Sequence, residues 1–287
     1  MEGSFKGILY PARLPAFHRL PAPTSVAHLV QWFWIPEWDI EPGRSSRQHV
    51  IAYPQCNLVV QPDALVFTGP TTRAAYRDLS GRGWAVGALL RPAAVPLFTD
   101  DPGGLRDGET VLAFEELHLA VVEAMEASDG GARVASDGGA RVASDGGARV
   151  ASDGGARRER AVEAFAGWLA SVDVGSSEEA LLANKLMDVC SSEAALVRVE
   201  DVAASLSVSS RTLQRVAKKY IGLSPAALIR RRRLQDAAER ARVDASADLA
   251  AIAAELGYAD HAHLTNDFQR YLGFTPSNYR KAFGEGS

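Results

Sequence analysis

The sequence predicts a multidomain α+β chain: a β-rich, barrel-like front domain, a helical connector, and an all-α carboxy-terminal domain with two helix-turn-helix units. Three observations lead there. Between about Leu9 and Phe98, short apolar runs alternate with clusters of turn formers. From Val111 onward the apolar residues change to helical spacing. From Val199 onward one helical pattern repeats 50 residues later.

The apolar runs of the front region fall at 29–35, 49–53, 57–61, 64–68 and 84–90. Pro36-Glu37, Glu41-Pro42-Gly43, Gln61-Pro62-Asp63, Gly69-Pro70 and Ser80-Gly81 separate them. Runs this short, enriched in Val, Ile, Phe and Trp, predict an all-β barrel or sandwich. Trp32, Phe33, Trp34 and Trp38 form the densest aromatic cluster. Aromatic side chains fill cores and also line ligand pockets, so Trp32, Trp34 and Trp38 are core candidates and, as the alternative, an effector pocket. His18, His28, His49 and His118 are scattered, with no His-x-His pair and no carboxylate at ligand spacing, and no metal site is expected. Cys56 and Cys190 lie far apart without a CxxC, which argues against a disulfide framework and fits a reducing cytoplasm.

A helix is expected over 111–126, with Leu112, Phe114, Leu117, Val121 and Val122 on one side. The octapeptide Ala-Ser-Asp-Gly-Gly-Ala-Arg-Val then begins at Ala127, Ala135 and Ala143, and begins again at Ala151 before diverging at Arg158. Each unit has little to bury, and adjacent glycines cost a helix about 1 kcal/mol each. The segment 127–157 therefore reads as a solvated, flexible insertion in the connector. Helix is expected to resume near Arg158, through Val162, Phe165, Trp168 and Leu169. The domain limits that follow are 1–110, 111–180 and 181–287.

In the carboxy-terminal region Val199, Val202, Ala203 and Leu206 form one apolar face, and Leu249, Ile252, Ala253 and Leu256 form its copy. A second helix follows each, carrying Leu213, Val216, Ala217 and Tyr220 in one unit and Leu264, Phe268 and Tyr271 in the other. Tyr220-Ile221-Gly222-Leu223-Ser224-Pro225 matches Tyr271-Leu272-Gly273-Phe274-Thr275-Pro276. Glycine ends a helix in the left-handed conformation, Ser or Thr caps the next, and proline takes its first position. A lone helix-turn-helix pattern is weak evidence. Two in register with a shared exit are strong.

Charge distribution is compatible with a nucleic-acid partner. The net charge is -4, but the stretch from Lys185 to Ser287 holds 15 Lys and Arg against 12 Asp and Glu. Opposite the apolar face of the first unit's second helix lie Arg211, Gln214 and Arg215, residue types that pair bidentately with guanine and adenine. Ser209, Thr212, Lys218 and Lys219 suit phosphates. In the second unit His261, Ala262, His263 and Asn266 are the expected base readers and Thr265 a phosphate contact. Asp260 and Asp267 make that helix less basic and its contribution weaker. Between the units, Arg230-Arg231-Arg232-Arg233 wraps around a helix, so one or two of the four are expected at phosphate or against the packing.

These residues resemble the AraC/XylS family of bacterial transcription regulators over about 181–283. The most specific stretch is Ile252-Ala-Ala-Glu-Leu-Gly-Tyr-Ala-Asp-His-Ala-His-Leu-Thr-Asn-Asp-Phe, followed by Gly273-Phe-Thr-Pro and Tyr279-Arg280. Ser209-Ser-Arg-Thr-Leu-Gln-Arg resembles the family's first recognition helix, while Asn266 stands where many members carry arginine. The resemblance implies an effector-binding or dimerisation domain in front, often a cupin-like barrel. It also implies double-stranded DNA, a second copy of the chain and RNA polymerase as partners, and no cofactor. A barrel enzyme and an interaction module without DNA binding are the alternatives. Against the enzyme, no phosphate loop, Ser/His/Asp pattern or HExxH is present. His261-Ala-His263 projects its two rings about 200° apart on a helix, which is unsuited to one metal. The chain lacks any apolar run of roughly 20 residues for a membrane span, and 1–19 lacks the apolar stretch of a signal peptide.

Overall fold

The computed structural model describes residues 16–50, 52–127, 146–172, 175–192, 198–244 and 246–283. Its front part is an antiparallel sheet in the order β1 (Ala16–Pro21), β2 (Val30–Asp39), β8 (Val86–Leu90), β4 (Asn57–Gln61), β5 (Ala64–Thr68) and β9 (Glu109–Val111). The short β7 (Arg82–Trp84) also pairs with β2, and β3 (Ser45–Val50) pairs with β6 (Ala75–Ser80) as a separate two-stranded arm. The predicted runs at 57–61 and 64–68 coincide with β4 and β5. The expected barrel is a loose description, because among the described residues β1 and β9 end the sheet without pairing to each other. One face is closed by helices instead. Phe33, Ile35, Leu58, Val60, Phe67 and Val86 pack with Leu117, Val121, Phe165 and Leu169 in a single core.

The run expected at 49–53 is strand over Ser45–Val50 and the one expected at 84–90 divides at Ala85 between β7 and β8, and two further boundaries differ for a clear physical reason. Pro36 does not end its strand: β2 runs through it. Proline has no N–H to give, and here its neighbour on one side changes from β8 to β7, leaving its carbonyl to accept from the Ala85 N–H at 3.2 Å. Val111 is strand rather than helix, since it pairs with Val66 of β5, and α1 (Glu115–Glu126) starts four residues later. The end of the octapeptide array is another correction. α2 (Gly146–Val172) is already helical through the last repeat, Gly154-Gly155 included. Tertiary contact outweighs the glycine cost: Arg157 and Arg158 both donate to the Glu37 carboxylate on β2, and Phe33 meets Phe165 edge to face at 5.4 Å. The rest of the array, 128–145, lies outside the described residues.

The carboxy-terminal part holds α3 (Glu178–Ser192), α4 (Val199–Ser205), α5 (Ser210–Tyr220), α6 (Pro225–Val243), α7 (Leu249–Glu255), α8 (His261–Leu272) and α9 (Pro276–Phe283). The two-unit reading is realised, with α4–α5 repeated as α7–α8. α6 is the common spine, about 28 Å long at 1.5 Å per residue. Its Leu228 and Ile229 belong to the core of the first unit, while Leu234, Ala237, Ala238 and Ala241 belong to that of the second.

The two parts meet across a seam in which Ala93 of the front part packs into the core of the first unit and polar contacts surround it. Asn184 on α3 donates to the His28 carbonyl at 2.8 Å and accepts from the Ala93 N–H at 2.9 Å. Arg91 pairs with Asp188 at 2.5 Å. Arg106 donates to the Gly222 carbonyl at 3.1 Å, and the Ala74 N–H donates to the Arg270 carbonyl at 2.8 Å. Gly222 is required twice over. Its φ is +77°, and a Cβ there would stand 2.6 Å from the Gly103 backbone nitrogen.

Candidate nucleic-acid interface

α5 begins where Ser209 caps it, the hydroxyl accepting from the Thr212 N–H at 3.1 Å and lying 2.9 Å from the Thr212 hydroxyl. Leu213, Val216, Ala217 and Tyr220 bury one face. The helical period then leaves Arg211, Gln214, Arg215, Lys218 and Lys219 exposed on the other. The residues expected to read and hold DNA in this unit therefore share one surface, apart from Ser209 and Thr212 at the cap.

Two of them are already engaged. Glu179, in the first turn of α3, accepts from Arg215 through Oε1 and from Lys219 Nζ at 2.8 Å through Oε2. The Tyr220 hydroxyl donates to the same Oε2 at 3.1 Å. Hydrogen bonds from Lys219, Arg215 and Tyr220 hold the Glu179 carboxyl well below the ordinary carboxylate range, at about 2, so it stays charged at neutral pH. Sequence reasoning missed Glu179. No local signal links it to Arg215, 36 residues away.

α8 is capped by Asp260, whose carboxylate accepts from the His263 N–H at 2.7 Å. His261, Ala262 and Asn266 are exposed. His263 is half-buried, edge-on to Tyr258 at 5.2 Å. Thr265 turns its hydroxyl inward: Oγ1 is buried with no hydrogen-bond partner among the described residues. Asp267 is not a surface acid. It is 1% exposed and takes Arg230 Nε at 2.7 Å and Nη2 at 2.5 Å, a bidentate pair joining α6 to α8.

The other arginines of the run also have protein partners. Arg231 is buried, donates to the Ala52 carbonyl of the front part and lies 5.2 Å from the centre of the Tyr271 ring. Arg232 donates to Asp236 at 3.0 Å and to the Ser191 carbonyl, and Arg233 donates to the Gly257 carbonyl at 3.3 Å. In this structure the run holds helices and domains together.

Of the three tryptophans, Trp32 alone lines the cleft between sheet and helices, which it shares with Arg19, Tyr53, Cys190, Arg231, Arg232 and others. Arg19 stacks 3.9 Å above the Trp32 ring, and burial lowers its pKa. Trp34 lies over Gly87, stacks on Phe17 and donates to Asn57 Oδ1 at 3.0 Å. Trp38 covers Gly83 and donates to the Ser80 carbonyl at 3.3 Å. Burial pushes the Cys56 and Cys190 thiols up to about 12. Among the described residues no group of three or more His, Cys, Asp or Glu could hold a metal ion, and no helix is long and apolar enough to cross a membrane.

Comparison with known proteins agrees with the duplicated helices. A helix-turn-helix domain family matches residues 202–282, and a domain of unknown function, DUF6597, matches residues 18–107. The chain is 34% identical over 123 residues to an AraC-like transcription regulator of Streptomyces antibioticus, covering 43% of this chain and 39% of that protein. It is 34% identical over 84 residues to an HTH-type transcriptional regulator of Haemophilus influenzae, covering 29% of this chain and 28% of the other. The chain thus spans about two-fifths of the first relative's length, and less of the second's. Among solved structures, a variant of apo ToxT from Vibrio cholerae aligns at 11% identity and a TM-score of 0.42, covering 92% of this chain and 99% of that one. The xylose-binding transcription activator XylR aligns at 15% identity and 0.33, covering 45% and 40%. The chain therefore carries a helix-turn-helix domain over residues 202–282 and is similar, over part of its length, to AraC-like transcription regulators.

Proposed function

We propose that the chain is a sequence-specific regulator of transcription that binds duplex DNA through α5 and α8. The observation that carries this reading is the exposed face of α5, where Arg211, Gln214, Arg215 and Lys218 stand together on one of two duplicated units. Arg211, Gln214 and Arg215 read bases, with His261, Ala262, His263 and Asn266 in the second unit. Ser209, Thr212, Lys218 and Lys219 meet phosphate, and Thr265 joins them only by turning its hydroxyl out of the buried position it holds here. The division of labour is a sensor or dimerisation domain at 1–110, a connector at 111–180 and the DNA-binding domain at 181–287. The regulator works in the cytoplasm as a homodimer that contacts RNA polymerase and catalyses no reaction.

An effector, in this reading, enters the cleft between the two parts. Arg19 comes from β1, Arg231 and Arg232 come from α6, and none of the lining residues is acidic, which suits a small acidic molecule. The cavity is about 70 Å³, well below the several hundred Å³ of an ordinary ligand pocket. Binding there must spread the seam, and that couples occupancy to the placement of the reading helices.

The test is selection of binding sites from random duplex DNA, then Arg215→Ala on the winning site. A lost bidentate contact is worth about 1–3 kcal/mol, so binding falls roughly 5- to 150-fold and discrimination at one position relaxes. Asn266→Ala has the smaller effect. Failure of any sequence to enrich at low salt ends this reading.

A further inference from the structure

We propose that Glu179 is a specificity-determining residue of the first reading helix: its carboxylate competes with DNA phosphates for Arg215 and Lys219, so only a well-matched site recruits both cations. The inference rests on the DNA-binding reading above. Both oxygens of the carboxylate are occupied, Oε1 by Arg215 and Oε2 by Lys219 and the Tyr220 hydroxyl. Arg215 and Lys219 lie one turn apart on α5, Tyr220 follows Lys219 directly, and the acceptor comes from a different helix. Arg215 and Lys219 keep side-chain exposures of 60% and 54%, and Glu179 keeps 24%, so the clamp lies at the surface that a duplex would approach.

That position has a consequence for binding. A phosphate arriving at α5 meets two cations whose charge is already compensated, together with the carboxylate that compensates them. Exchange of one anion for another is then the step that recruits the cations. Backbone contact from a random sequence supplies phosphate alone, whereas a matching site adds the base contacts of Arg215. The carboxylate therefore lowers binding to random DNA more than binding to the operator. Asn184 and Asp188, on the same helix α3, hold it to the front part through the His28 carbonyl, the Ala93 N–H and Arg91, so the clamp is anchored where the two parts meet.

The experiment compares the full chain with Glu179→Gln, Lys219→Gln and the double variant on a random-sequence duplex across a salt series, with the selected operator in parallel. Gln keeps the shape of Glu and still accepts from Tyr220, and thermal melts check that each variant is folded. Each cation newly placed on phosphate steepens the dependence of log K on log salt by about 0.9. Glu179→Gln is expected to tighten random-duplex binding about 3- to 10-fold at low salt, to steepen the slope by up to about 1.8, and to narrow the preference for the operator. On the random duplex Lys219→Gln lowers the slope less in the native chain than in the Glu179→Gln background, where it removes about 0.9; on the operator, where Lys219 meets phosphate, it removes about 0.9 in both. Unchanged affinity and slope in Glu179→Gln, or weaker binding, overturns the inference and leaves DNA binding standing. Absence of duplex binding by every chain at low salt overturns the DNA-binding reading and this inference with it.

Discussion

Ser207 and Gly257 occupy the same corner of the two units, 50 residues apart, and both lie in the left-handed region, with φ of 55° and 73°. The corner is set by the backbone path between α4 and α5, and between α7 and α8, so a side chain at this position carries strain. A Cβ in this region costs about 1–2 kcal/mol, part of which glycine returns through its larger unfolded-state entropy. Ser207→Gly is expected to raise stability by about 0.5–1 kcal/mol and Gly257→Ala to lower it by about 1 kcal/mol, both measured by chemical denaturation. A loss on Ser207→Gly would mean that the corner relaxes around serine. Much at this scale was legible beforehand. The caps at Ser224 and Thr275 and the glycine exits at Gly222 and Gly273 are where their residue types placed them, because each acts within one turn of its own helix. Asp267, counted in the sequence among the charges that make α8 less basic, is instead buried and paired with Arg230. Its depth depends on α6 lying across α8, which no neighbouring residue announces.

The four-arginine run of α6 shows how an element takes its role from what surrounds it. Arg230 neutralises Asp267, Arg231 reaches the Ala52 carbonyl, and Arg232 and Arg233 satisfy carbonyls at 191 and 257. Removing the partner of a buried charge is costly. Arg230→Ala leaves the Asp267 carboxylate buried and unpaired and is expected to destabilise by about 3 kcal/mol. Asp267→Asn leaves a guanidinium that is 40% exposed and can turn to solvent, at about 1 kcal/mol. Denaturation midpoints of the two variants check the order, and equal losses would show that the pair shares its burial evenly. α2 teaches a related lesson from the opposite direction. Glycine pairs argue against helix at 146–157, but the Glu37 carboxylate binds Arg157 and Arg158 and holds that end of the helix on the sheet.

Across the whole molecule the seam decides whether front and rear parts act together. Asn184 is 5% exposed and satisfies two backbone groups of the front part from a helix of the rear part. Asn184→Ala orphans the Ala93 N–H and the His28 carbonyl, each costing about 1–3 kcal/mol. The expected result is an early, separate unfolding step for one part, seen by calorimetry as two transitions where the native chain shows one. Retention of a single unshifted transition would show that the remaining seam contacts suffice. The reading of residues in order was enough to establish the twin helical units, their caps and exits, and the strands at 57–61 and 64–68. Those features arise from hydrogen bonds and apolar periods that close within a few residues, so composition and spacing carry them. What had to come from folding was the open sheet, the helix inside the last repeat, and which cations of the rear part are held. Pairings such as Arg215 with Glu179 and Arg231 with Ala52 span 36 and 179 residues. Charge–charge and carbonyl contacts over such separations depend on where distant backbone arrives, and that is a property of the packed chain.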